Sequence, residues 1–93
     1  MSEIDLRRID LNLLLVLDVL MAERSVTRAA QRLGRTQSAV SHSLARLREQ
    51  LGDPLLVKTN QGMRASAFAE RLSAQVRPVL ADIRRVLAPQ HSF

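Results

Sequence analysis

A mainly α fold, interrupted by one short β-hairpin, is predicted by three features of the sequence. Apolar residues recur at spacings of three and four from Leu11 to Glu23, from Ser25 to Leu51 and from Ser66 to Leu87, and each segment opens beside a capping side chain. Gly34 divides the middle segment, leaving two short helices around a tight turn. Between Gly52 and Ser66 the pattern changes to two short extended runs about Asn60-Gln61-Gly62.

Asp10 is placed to cap a first helix of Leu11 to Glu23, with Ile9 and Leu14 positioned as a hydrophobic staple. Leu13, Leu14, Leu17, Leu20 and Met21 give this helix a broad apolar face, more than a surface helix needs. It is therefore expected to contact both the two-helix unit and something else. Ser25 caps the next helix, Val26 to Leu33, by accepting a bond from a backbone N–H left free in the first turn. Gly34 supplies the left-handed conformation that ends it, Gly34-Arg35 becomes the turn, and Thr36 caps the third helix. Two helices joined by roughly three residues cross steeply rather than lying antiparallel.

Gly52-Asp53-Pro54 breaks the third helix, after which Leu55 to Thr59 reads as a strand and Met63 to Ala65 as its returning partner. From Ser66 a long helix carries Phe68, Leu72, Val76, Val79, Leu80, Ile83, Val86 and Leu87 on one stripe. At about 1.5 Å per residue it extends roughly 30 Å, more than so short a chain can cover. The uncovered apolar stripe calls for a partner, and a second copy of the same helix makes a homodimer. Pro78 removes one backbone bond inside that helix and is expected to bend it. Ala88 to Phe93 reads as a linker end in which His91 has no role.

With 93 residues the chain makes one small domain, too small for a deep cleft with a second domain behind it. There is no cysteine and the two histidines are scattered, so neither a disulfide framework nor a metal site is expected, and a reducing cytoplasm is the expected compartment. No cofactor is expected. The apolar run from Leu13 to Met21 is too short for a bilayer and is broken by Asp18, so no membrane span is expected, and the N-terminal residues lack the pattern of a signal peptide. No paired carboxylates, activated nucleophile or phosphate loop is present, and Ser41 and His42 point about 100° apart on a helix, so an enzyme is not expected. Two phenylalanines are the only aromatic residues, which argues against stacking on single-stranded nucleic acid and leaves duplex as the readable form.

The net charge of +5 is unevenly placed. Residues 1–24 carry −2, residues 25–64 carry +5 and residues 65–93 carry +2, so the excess lies on and after the two-helix unit. Nearly all of the cations are arginine, whose fork suits phosphate and guanine better than lysine does. On the third helix Val40, Leu44, Leu47 and Leu51 share a narrow buried arc. The opposite arc gathers Gln37, Ser38, Ser41, His42, Ala45 and Glu49, with Arg46 and Arg48 at its flanks. Short side chains allow close approach, while Gln and Arg supply directional hydrogen bonds, which is what base-edge and phosphate contact requires. A two-stranded hairpin after such a unit is a wing, and Lys58 and Arg64 flank its tip, where they can meet phosphates or a minor groove. The composition alone also admits a helical protein-interaction or dimerisation module whose polar arc is solvated surface.

The order of DLNLLLVLDVL, SVTRAAQRLGRTQSAVSHSLARLREQLGDPLLVKT and NQGMRAS resembles the N-terminal DNA-binding domain of LysR-type transcriptional regulators over nearly the whole chain. The resemblance implies a winged helix-turn-helix over residues 1–65, a linker or dimerisation helix over 66–88 and a linker end at 89–93. It implies that recognition helix 36–50 enters the major groove and that wing 55–65 lies on backbone or minor groove. Carried over residue by residue, Gln37, Ser38 and His42 face base edges. Ser25, Thr27, Gln31, Thr36, Ser41, Arg46 and Lys58 meet phosphates, and Arg35 in the turn and Arg64 on the wing are counted with them. The family often has proline where Ser38 stands and arginine where Lys58 stands. Ser66 replaces a usual threonine and keeps the cap.

The partner expected from these readings is double-stranded DNA with a roughly palindromic operator, bound by a homodimer held through Phe68, Leu72, Val76, Val79, Leu80, Ile83 and Leu87. Family members continue into a two-lobed effector domain and assemble as tetramers. The 93 residues are expected to be the DNA-binding part alone, with no small-molecule effector site.

Overall fold

Three helices that close around the first one form the core of the computed structural model, which describes residue 7 and residues 10–89. Ile9, the outer member of the expected staple, and the tail from residue 90 onward lie outside the described residues. The order is α1 (Asn12–Glu23), α2 (Val26–Leu33), α3 (Gln37–Leu51), β1 (Leu56–Thr59), β2 (Gly62–Ala65) and α4 (Ala67–Leu87). This is the expected winged helix-turn-helix followed by a long helix.

Helix α1 begins as Asp10 directs. Its Oδ1 accepts from the Asn12 N–H at 2.9 Å and its carbonyl accepts from Leu13 at 2.9 Å, so Asp10 does the capping although the regular helix starts one residue later than expected. Leu13, Val16, Leu17, Val19, Leu20 and Met21 are buried around most of its circumference. That is explained by its neighbours, for α1 packs against α2, α3 and α4. Burying this many large apolar side chains, at roughly 1.5–3 kcal/mol each, is the principal stabilisation of the domain.

The two-helix unit is built by local chemistry. Ser25 accepts from the Arg28 N–H at 3.1 Å and Thr36 from the Ala39 N–H at 3.1 Å. Between them Gly34, at φ 64°, closes α2 with paired bonds, Arg35 N–H to the Ala30 carbonyl at 3.0 Å and Gly34 N–H to the Gln31 carbonyl at 3.3 Å. Val40, Leu44 and Leu47 of α3 are buried, and Leu51 packs against the core from its edge.

The wing pairs antiparallel with Leu56 opposite Ala65, Val57 opposite Arg64, Lys58 opposite Met63 and Thr59 opposite Gly62. The expected strand began at Leu55, but the ladder begins at Leu56. Leu55 has φ 62°, a left-handed conformation that cannot continue a strand, and its side chain is fully buried.

Helix α4 is capped by Ser66, whose hydroxyl accepts from the Ala69 N–H at 3.0 Å, and it runs without interruption through Pro78. The stripe expected to face a second copy is not uncovered throughout, because its first half packs on the chain's own domain. Ala69, Ser73, Val76 and Leu80 are buried, Phe68 and Leu72 are half-buried, and Val79, Ile83, Val86 and Leu87 are exposed. Ala69 and Ser73 were missed because their small side chains carry little hydrophobic signal, although small residues let α4 approach α1 closely.

Candidate nucleic-acid interface

The bare side of the molecule is the arc of α3 opposite its buried stripe. Ser38, His42, Ala45, Arg46 and Glu49 are exposed on that arc, and Gln37 and Ser41, which the 100° step places nearer the buried stripe than expected, are exposed at its edge, whereas Val40, Leu44 and Leu47 are buried. Ser38 and His42 stand one turn apart on the same line, and Gln37 and Ser41 form a second line beside it. Glu49 closes the arc at its C-terminal end, where its charge repels phosphate. Contact with a polyanion is therefore favoured at the N-terminal half.

That half is also the positive end of the helix dipole. Thr36 Oγ1 takes the Ala39 N–H and the Thr36 carbonyl takes Val40, which leaves the N–H groups of Gln37 and Ser38 without a partner inside the helix. Free backbone donors at a helix N-terminus suit a phosphate oxygen. Thr36 and Ser25 keep a hydroxyl proton to donate while their oxygens cap, so capping and phosphate contact are compatible at both residues. Thr27 and Gln31 are exposed one turn apart on α2, and Arg35 is exposed in the turn.

Ion pairing divides the cations into two groups. Glu23 holds Arg32, with Nη1 to Oε2 at 3.0 Å, and lies 3.7 Å from the Arg28 Nε. Arg24 pairs with Glu70, Arg77 with Asp18 and Arg85 with Asp82. Among the described residues Arg35, Arg46, Arg48, Lys58, Arg64, Arg71 and Arg84 have no acidic partner. Four of these seven, Arg35, Arg46, Lys58 and Arg64, are the cations expected at phosphates, while Arg48 is held by backbone carbonyls and Arg71 and Arg84 stand on α4. Pairing elsewhere keeps Arg28 and Arg32 out of that set, at little gain in stability because exposed pairs contribute about 0.2–1 kcal/mol.

The wing does not bring its two charges together. Cross-strand partners share a face, so Arg64 stands with Val57 on the outward face and Lys58 with Met63 on the other. Each needs its own phosphate. Arg48, which the helical projection placed at the flank of the DNA face, turns away from it. Its Nε donates to the Pro54 carbonyl at 2.8 Å and its Nη2 to the Leu56 carbonyl at 2.6 Å. A helical wheel fixes the direction of a Cβ but not the target of a long side chain, so no sequence signal marked that role. The exposed end of α4 meets the start of α1 in a groove of about 280 Å³ lined by Leu11, Asn12, Leu15, Leu80, Ile83 and Arg84.

No helix among the described residues is long and apolar enough to cross a membrane, and no group of His, Cys, Asp or Glu that could hold a metal ion is found among them.

This arrangement has close relatives. Residues 11–70 match the family described as bacterial regulatory helix-turn-helix protein, lysR family. The transcriptional activator NahR of Pseudomonas putida is 44% identical over 89 residues, 96% of this chain and 30% of the relative. The transcriptional regulator LeuO of Escherichia coli is 41% identical over 87 residues, 94% of this chain and 28% of the relative. The chain thus spans less than a third of the length of these curated relatives. The probable transcriptional regulator PA0477 from Pseudomonas aeruginosa superposes with a TM-score of 0.85 at 42% identity, covering 95% of this chain and 29% of that one. A BenM DNA-binding domain crystallised with catB site 1 DNA shares the fold, with a TM-score of 0.78 at 21% identity over 86% of both chains. With its two-helix unit, wing and long helix in the family's order, the chain belongs to the lysR family of bacterial regulatory helix-turn-helix proteins.

Proposed function

We propose that this chain reads duplex DNA as a homodimer and thereby regulates transcription, with α3 in the major groove and the wing on the adjacent backbone or minor groove. The observation that carries the reading is the exposed polar arc of α3, with Arg35 in the turn before it and Arg46 on it free of acidic partners, as are Lys58 and Arg64 on the wing. Gln37, Ser38 and His42 read base edges. Ser25, Thr27, Gln31, Arg35, Thr36, Ser41, Arg46, Lys58 and Arg64 hold phosphates and fix the register in which the bases are read. BenM's DNA-binding domain was crystallised with DNA, which supports the same partner here.

Residues 1–65 act as the reading unit and residues 66–88 as the dimerisation helix. The exposed Val79, Ile83, Val86 and Leu87, together with the groove beside Leu11 and Leu15, support a second copy of the chain as the partner. Two recognition helices then enter successive major grooves about 34 Å apart, which matches a roughly palindromic operator. In a longer protein a tetramer and a small-molecule response would reside in a further domain, and the compartment is the cytoplasm, where the operator is.

Selection of bound sequences from a random duplex pool tests the reading. It is expected to return an inverted repeat with half-sites one helical turn apart. Recovery of a single asymmetric half-site would overturn the dimer, and recovery of no preferred sequence would overturn base reading.

A further inference from the structure

We infer that Arg48 is a positioning residue for DNA binding, a clamp from the recognition helix that aims the wing, and not itself a phosphate ligand. The inference rests on the proposed reading, since it supposes that α3 and the wing touch the same duplex. It begins with the corner between them. Leu55 lies at φ 62° and the Leu56 N–H donates back to the Pro54 carbonyl at 2.7 Å, which makes a three-residue turn of the rare strained kind. A branched residue holds such a conformation only where its surroundings over-determine it.

Here they do so from every side. The side chains of Leu55 and Leu56 are fully buried. Asp53 Oδ1 accepts from the Leu55 N–H at 2.7 Å and from the Ser66 hydroxyl at 2.6 Å, and the Ser66 N–H donates to the Leu55 carbonyl at 2.8 Å. Arg48 completes the set by donating to the carbonyls on either side of Leu55, those of Pro54 and Leu56. Bonds from a charged donor are about twice as strong as neutral ones, and the fork fixes two acceptors in one plane.

The geometry has a functional consequence because β1 leaves from this corner. Lys58 follows Leu56 by two residues, roughly 7 Å along the strand, and Arg64 stands across the ladder. The direction in which the corner sends β1 therefore sets where both cations meet the backbone. Arg48 is anchored in the last turn of α3, the same rigid rod that carries Gln37, Ser38 and His42. It thus couples the spacing of base contacts and wing contacts without touching DNA. Two of the five guanidinium N–H donors of Arg48, on Nε and Nη2, are spent on backbone carbonyls, which fixes the direction of the whole group toward the corner.

The test is a double-mutant cycle between Arg48→Met and a wing from which both charges are removed, Lys58→Ala with Arg64→Ala. Affinities are measured against a duplex carrying the selected site and against a random duplex of equal length, across a range of salt. Arg48→Met is expected to weaken binding about 10-fold on the intact wing and less than about 2-fold on the uncharged wing, because a clamp has nothing left to aim. Equal losses in both backgrounds, with the salt slope falling by about one in each, would make Arg48 a phosphate ligand and overturn the inference. A measurement on the unaltered protein covers the case in which Arg48→Met fails to fold. The Arg48 Nε–H resonance is expected to exchange slowly in the free domain and to stay in place when duplex is added, and exchange at the solvent rate would overturn the clamp. An unaltered domain that binds both duplexes equally would overturn base reading instead, and the exchange rate in the free domain would still decide the clamp.

Discussion

The Arg24 guanidinium meets Glu70 with Nη2 2.6 Å from Oε1, joining positions 46 apart in sequence. Arg24 ends α1 in a left-handed conformation at φ 52°, with its N–H on the Leu20 carbonyl, and Glu70 lies in the first turn of α4. The pair therefore bridges the exit of the core helix and the entry of the long one. Both side chains are substantially exposed, so the bridge itself contributes little. The backbone at Arg24 matters more.

Arg24→Gly and Arg24→Ala both delete the bridge, but glycine relieves the left-handed strain and alanine keeps it. Arg24→Gly is expected to be the more stable of the two by about 1 kcal/mol, measured as the difference in urea unfolding free energy. The reverse order would show that the strain is not borne by the backbone of residue 24.

Gly34 offers a related test inside the two-helix unit. A Cβ built there meets nothing within 4 Å, so space is no obstacle, yet φ is +64°. Gly34→Ala is expected to cost about 1 kcal/mol, and Gly34→Asn less, since asparagine tolerates the left-handed region. If asparagine proves as costly as alanine, the glycine is required for something other than its conformation.

Gln37→Ala is expected to cost about 1–3 kcal/mol of binding on the selected site and little on random duplex, the signature of a base contact. Titration of both duplexes with the same preparation decides it. Equal losses would move Gln37 to the phosphate set.

Lys58 and Arg64 stand on opposite faces of the wing, so their contributions are expected to be independent. Each alanine variant should lower the salt slope by about one per bound protomer on any sequence, and the double variant should add the two effects. A double variant no worse than either single one would mean that the two cations share one phosphate.

Ile83 lies in the exposed stripe of α4 and lines the groove beside Leu11. Ile83→Asp is expected to leave a folded monomer by sedimentation equilibrium and circular dichroism, with affinity for the full operator reduced to that of a half-site. Persistence of the dimer would place the interface elsewhere.

The parts legible in the sequence are those decided by neighbours in the chain. Asp10, Ser25, Thr36 and Ser66 cap the helices they were expected to cap, because a hydroxyl or carboxylate bonds an N–H two or three residues ahead whatever the fold. The bare and buried sides of α3 follow from its 100° step in the same way. What could not be read depends on tertiary neighbours. The left-handed turn at Leu55 exists because Arg48, Asp53 and Ser66 surround it, and the first partner is on one helix while the last caps another. The inner stripe of α4 escaped for a similar reason: Ala69 and Ser73 are buried by what they lie against, not by what they are.

The division of the cations has a kinetic consequence. If the four proposed phosphate cations, Arg35, Arg46, Lys58 and Arg64, all engage, eight contacts in a dimer correspond to a salt slope of roughly −7, steep enough that modest changes in ionic strength govern residence on arbitrary DNA. Freed from Glu23, Arg28 and Arg32 would add two cations per protomer to the charge presented to a polyanion. An acid on the core helix thus lowers the charge that arbitrary DNA can meet.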